Sequence, residues 1–177
     1  MLEREHGKRL LVIVGGVLLA GAAAVFAGQE KIAFPDRYKS GVLYAMSDRP
    51  DNKTVRDLYA SAETLRVLRE GRPLPSGTVL SMEVYRAKVA RGGEVVKGAD
   101  GRLVKDGMIG VFVMEKRTGW GAEYAAGLRN GEWEYARFAA TGERQVVDTK
   151  PCFECHQPQA SEDYLYTLKQ LLAAASK

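Results

Sequence analysis

The sequence predicts an α+β protein that is mainly β, with about five antiparallel strands and two or three short helices. Three observations carry this. Apolar and polar residues alternate in separate short stretches, most clearly in "TVLSMEVYRAKVA" and "MIGVFVMEKR". Clusters of Gly, Pro, Asp and Asn stand between those stretches. Helical spacing of apolar residues is confined to two short segments. With 177 residues, 46% of them hydrophobic, one domain can bury a core without disulfide staples.

The elements follow in order. "AFPDRYKS" is an irregular lead-in. "GVLYAM", Gly41 to Met46, is a first strand and "SDRPDNK" a turn. "TVRDLYA", Thr54 to Ala60, is a second strand. Ser61 caps a helix through "AETLRVLRE", which sets Leu65 and Leu68 on one side and stops at Gly71. "RPLPSG" turns into the longest strand, where Thr78, Leu80, Met82 and Val84 share an apolar face and Ser81 and Glu83 a polar one. Gly-Gly and Asp-Gly signals make "RGGEVVKGADGRLVKDG" a hairpin excursion or a long exposed loop. Met108 to Arg117 returns as a strand. "GWGAEYAAGLRNG" is a short helix or loop, and Glu132 to Ala140 the last strand. A C-terminal helix starts at a Ser161 cap and carries Leu165, Leu168 and Leu172 at helical spacing.

Residues 1–28 stand apart. Lys8 and Arg9 precede an apolar run from Leu10 to Gly28, and "VFA" before Gly28 suits a signal-peptidase cut. The run from 10 to 28 is also long enough to anchor the chain in a membrane. Both readings export the body, residues 29–177, to a periplasm, soluble in one case and tethered to the inner membrane in the other. Net charge is +4 with signs interspersed, and no basic run carries interleaved aromatics, so nucleic-acid binding has no support.

Only two cysteines occur, in "KPCFECHQP", Lys150 to Pro158. A Cys-x-x-Cys pair serves as a redox dithiol, usually in a βαβ setting that this stretch lacks. In an oxidising compartment it can form a disulfide. A structural zinc would need a fourth ligand beyond Cys152, Cys155 and His156. The haem reading needs nothing more. Two thiols spaced by two residues add across the haem vinyl groups, and the histidine that follows ligates the iron. One covalent haem c on Cys152 and Cys155, with His156 as metal ligand, is the favoured expectation. The familiar helical cytochromes c carry this motif near the N-terminus; here it lies near the C-terminus of a β-rich body.

From about Ser40 to Leu171 the chain resembles the cytochrome P-460 family, which includes the β-sheet cytochromes c′-beta. The likeness rests on "LYASAETLRVLREGRPLPSGTVLSMEVY", "VMEKRTGWG", "LRNGEWEYARF" and "CFECH" followed by "EDYLYT". It implies an antiparallel sheet with a few helices, a single haem c and often a homodimer. It places the thioether cysteines at Cys152 and Cys155 and the proximal ligand at His156. Family enzymes oxidise hydroxylamine and bond a lysine to the haem edge. Matching the "GTV" turn puts that lysine position at Met82, and Lys88, six residues on, is a poor substitute. The enzymes also use a distal carboxylate, which the sequence does not place. A thioether does not form the lysine-type cross-link, so Met82 either fills an apolar distal pocket or brings its sulfur to the iron. Met114 and Met46 are lesser rivals. Phe34, Tyr59, Phe112 and Phe138 either crowd the distal face or are core, Trp120 and Trp133 are core or dimer contacts, and Arg137 pairs with a haem propionate or with a neighbouring carboxylate.

Three functions follow as expectations. The first is a five-coordinate haem that binds nitric oxide or a similar diatomic. The second is electron transfer to a redox partner protein at a membrane complex. The third is an oxidoreductase acting on hydroxylamine or nitrogen oxides.

Overall fold

The computed structural model describes residues 28–177; the leader expected over 1–28 lies outside this range except for Gly28. Six strands form one antiparallel meander, β1 Val42–Arg49, β2 Thr54–Ala60, β3 Val79–Ala87, β4 Lys105–Lys116, β5 Trp133–Phe138 and β6 Arg144–Gln145, each paired with the next. Three helices accompany it: α1 Ala62–Arg69, α2 Lys150–His156 and α3 Leu168–Ala175. The fold is mainly β, as expected. The sixth strand, two residues long, is too short to carry a periodic signal. Among the described residues no helix is long and apolar enough to cross a membrane.

Register assigns the side chains to two faces. Ala45, Leu58, Met82, Phe112 and Arg137 form one row across β1 to β5. Leu80, Met114 and Tyr135 form the next row of the same face. The helices cover this face. Leu65 and Leu68 of α1, Phe153 of α2 and Leu171 and Ala175 of α3 pack with Leu80, Trp133 and Tyr135. Each large side chain buried there contributes ~1.5–3 kcal/mol relative to exposure. Ser61 Oγ accepts from the Thr64 amide at 3.0 Å, which caps α1 as expected. Gly71, at φ 71°, stops it.

The opposite face is not a solvent face. The lead-in folds across it, with Ile32, Phe34 and Tyr38 on Val111, Val113, Ala136 and Phe138. Ser81 and Glu83, expected on an open polar face, are therefore buried. Glu83 is held by hydroxyl donors from Tyr38 at 2.7 Å, Tyr85 at 2.9 Å and Tyr59 at 3.1 Å, and by Lys39 at 2.7 Å. Acceptor capacity thus matches donors, which is what lets a carboxylate sit inside.

The C-terminus departs from the single helix expected from Ser161. Residues Gln157–Glu162 form a 3-10 turn, Asp163 and Tyr164 take φ of 49° and 62°, and α3 begins only after Thr167. Ser161 caps nothing, and the buried stripe runs through Leu171 and Ala175 while Leu172 is exposed. The reason is tertiary. Asp163 accepts from Trp133 Nε1 at 3.2 Å and from Lys116 Nζ at 2.8 Å, and these bonds to β5 and β4 outweigh local helix preference.

Burial pushes the Glu83 carboxyl up, but the bonds from Lys39, Tyr38 and Tyr85 outweigh it and hold it below the ordinary value. A depressed acid stabilises the fold above its unfolded pKa of about 4.3 and loses that contribution as pH falls through the folded value. Acid unfolding of Glu83→Gln, followed by circular dichroism from pH 6 downward, is expected to show a smaller loss of stability below about pH 4 than the parent. At pH 7 the variant is less stable by about 3–5 kcal/mol, as expected for breaking a buried charged network.

Candidate functional site

Helix α2 carries the cysteine and histidine motif, a helix that the sequence reading did not assign. Pro151 suits its first turn, where an amide donor is not needed. On a helix, positions 152, 155 and 156 fall at i, i+3 and i+4, so the two thiols and the imidazole share one side. Phe153 turns toward the sheet beside His156 and is 1% exposed, edge-on to Tyr124 and Tyr135 with centroids 5.1 and 4.8 Å away. Asn130, wholly buried, donates from Nδ2 to the Phe153 carbonyl at 3.1 Å and to the Tyr135 hydroxyl at 2.8 Å. One aromatic knob and one amide thus fix the helix on the sheet. Sequence reasoning missed Asn130, because its role depends on a loop meeting a helix end 23 residues later.

His156 is set between Tyr135 and Tyr166, with ring centroids at 5.1 and 5.4 Å. Its Nδ1 lies 2.6 Å from the Tyr164 carbonyl. A carbonyl only accepts, so Nδ1 carries the hydrogen and Nε2 of the neutral ring keeps its lone pair. This is the usual way a ligating imidazole is oriented. Burial lowers the imidazole pKa, while the bond to Tyr164 acts in the opposite sense. The left-handed turn at Asp163 and Tyr164 presents this carbonyl, and Asp163 ties the turn to β4 and β5.

The two cysteines are not joined in a disulfide; Cys152 is half-buried and Cys155 exposed. Burial, then the charges of Cys155 and Asp148, pushes the Cys152 thiol up to about 11. A redox dithiol uses the reverse, a depressed thiol. Among the described residues no group of three or more His, Cys, Asp or Glu is placed to hold a metal ion.

The sheet under α2 suits a flat apolar group with anionic edges. Tyr135, which meets His156, lies on the face that carries Leu58, Met82 and Phe112, all half-buried. Arg56 and Arg137 flank that row on the same face, and the Nε of each is buried with no hydrogen-bond partner among the described residues. Arg56 acts electrostatically on His156, and Arg137 on Cys152. Buried guanidinium donors left unpaired are costly unless an anion meets them. The donor set therefore fits a haem, with His156 for the iron, the two thiols for its vinyl carbons and the two arginines for its carboxylates.

Other expectations sort by face. Phe112 shares the row of Met82, and Arg137 stacks over it at 4.9 Å. Phe34, Tyr59 and Phe138 lie on the far face, where Phe34 meets Phe138 and Tyr38 meets Tyr59, so they cannot crowd a haem at α2. Met46 pairs with Asp57 on that far face and is exposed, whereas Met114 is core beside Leu80. Lys88 falls beyond β3, past two register shifts, so it does not continue the Met82 face. Trp133 is core, and Trp120 packs in the second cluster under Lys31 and Arg117.

The family model for cytochrome P460 matches residues 35–167, about three quarters of the chain. The chain belongs to the cytochrome P460 family and is a haem-binding cytochrome. No curated relative matches it.

Removing the Phe153 knob leaves a cavity between α2 and the sheet. Phe153→Ala is expected to cost about 3–5 kcal/mol, read from urea denaturation followed by tryptophan fluorescence.

Proposed function

We propose that this protein is an exported cytochrome holding one haem c through Cys152 and Cys155. In this reading His156 is its sole side-chain iron ligand, and the open coordination position binds nitric oxide or a similar small gas. The observation that carries this is the placement of both thiols and the imidazole on one side of α2, with Nδ1 committed to Tyr164 and Nε2 left for a metal. When bound, haem supplies iron that exchanges electrons and takes a diatomic ligand. The residues of the chain set which ligands reach it. Leu58, Met82 and Phe112 offer an apolar row that disfavours charged or strongly hydrated ligands. Arg56 and Arg137 hold the carboxylates of the group at the rim of that row.

A second reading is electron transfer with a redox partner protein. Met82 favours it, because among the methionines of the strands it alone is both on the His156 face and outside the packed core. Hydroxylamine oxidation draws least support. β2, β3 and β5 contribute no carboxylate to this face, and Glu83, next to Met82, turns to the opposite one into its tyrosine cluster. A proton-accepting base is what such a reaction would need.

Expression with a cytochrome c maturation system tests the attachment. The parent is expected to keep haem colour after denaturing electrophoresis, and the Cys152→Ser/Cys155→Ser double variant to lose it. Retention in the double variant overturns the covalent reading. His156→Ala keeps the covalent haem but changes its spin state.

Met82→Ala separates the two functions. The gas-binding reading expects a five-coordinate ferrous spectrum in parent and variant alike, shifted by nitric oxide. A low-spin parent that becomes high-spin in Met82→Ala establishes electron transfer through a methionine ligand instead.

A further inference from the structure

Glu134 has no part in the site described above. It lies in β5, on the face opposite Tyr135, and is 1% exposed. Its Oε2 accepts from the Tyr124 hydroxyl at 3.1 Å, while Oε1 is buried with no hydrogen-bond partner among the described residues. The nearest cation, Lys31 Nζ, stands 4.0 Å away and pairs more closely with Glu123. Glu123 and Glu30 add like charge, and burial is the main cause that pushes the Glu134 carboxyl up to about 7. A buried carboxylate in this setting lacks a cation.

The backbone that meets it is Gly28. A Cβ built on Gly28 would overlap both carboxylate oxygens, so no side chain fits there. At a tetrahedral α-carbon the nitrogen lies about 2.5 Å from the Cβ position, so with Oε2 1.8 Å from that position it stands no more than about 4.3 Å from Oε2, and its amide donates to the Tyr124 hydroxyl that bonds Glu134. The lead-in is pinned at this point. Gln29 Nε2 donates to the Val147 carbonyl at 3.0 Å, Arg144 donates to the Gln29 and Ile32 carbonyls, and Ile32 is wholly buried. Gly28 is also the residue that follows "VFA", the cut expected from the sequence alone.

We propose that the chain is cleaved between Ala27 and Gly28 and that the new Gly28 ammonium is the missing partner of Glu134. Water adds across the amide in an export peptidase. Ala27 leaves as a carboxylate, and the Gly28 nitrogen remains as an ammonium. Processing then completes an ion pair inside the fold, and glycine is required because the carboxylate occupies the Cβ position. Lys31, Glu30, Glu123 and Tyr124 are the other titratable groups around it.

The test uses the full chain, exported with its own leader and loaded with haem. Intact mass and N-terminal sequencing are expected to give a protein that starts at Gly28. A start at Met1, or at any other residue, overturns the proposal. Partial acylation of the mature protein at pH 7 with an N-hydroxysuccinimide ester, read at the N-terminal peptide by mass spectrometry, then tests the pair. The amine is expected to react about tenfold more slowly than in Glu134→Gln, because the carboxylate holds it charged. A variant with one alanine inserted after Ala27 and processed before it keeps Glu134 but displaces the amine. It too is expected to react about tenfold faster than the parent. Equal rates in the parent and in either variant overturn the pairing.

Discussion

The bond from His156 Nδ1 to the Tyr164 carbonyl, 2.6 Å long, is the contact on which the site depends. It fixes the tautomer and holds the ring against Tyr135. It exists only because Asp163 and Tyr164 accept left-handed backbone angles, a conformation that costs non-glycine residues of order 1–3 kcal/mol each. Asp163 offsets that cost through Trp133 and Lys116. The imidazole is thus oriented by β4 and β5, although neither strand carries it.

The two faces of the sheet divide the work. The helical face carries the motif, the apolar row of Leu58, Met82 and Phe112, and the two arginines with unpaired donors. The other face receives the acids of the central strands. Glu83 and Glu134 are both buried there, but they meet different fates. Three tyrosines and Lys39 surround Glu83, and these donors hold it ionised. Glu134 has one tyrosine and a distant lysine, and burial dominates. Identical chemistry in one sheet takes opposite pKa directions because donor supply differs. On the helical face Arg56 and Arg137 each keep a buried Nε with no hydrogen-bond partner among the described residues.

Much of the site could be read from the chain itself. The Cys-x-x-Cys-His spacing of Cys152, Cys155 and His156 is a property of the chain itself, so it is visible without a fold. Alternation in β3 and β4 and the Ser61 cap are local, and they appear where expected. What could not be read was which side of each strand faces what. Ser81 and Glu83 look like a solvent face because polarity alone does not reveal that Phe34 to Tyr38 fold back over them. The aromatic residues Tyr59 and Phe138 look like haem neighbours for the same reason, and register removes them.

The sequence by itself determined the mainly antiparallel architecture and the Cys-x-x-Cys-His spacing of Cys152, Cys155 and His156. Each of these is set by residue type and spacing along the chain. Tertiary structure alone decided that the C-terminal segment breaks at Asp163, that Asn130 and Phe153 anchor α2, and that Arg56 and Arg137 share a face with His156. Those features join residues far apart in the chain, and their energies exist only once the sheet has brought the partners together.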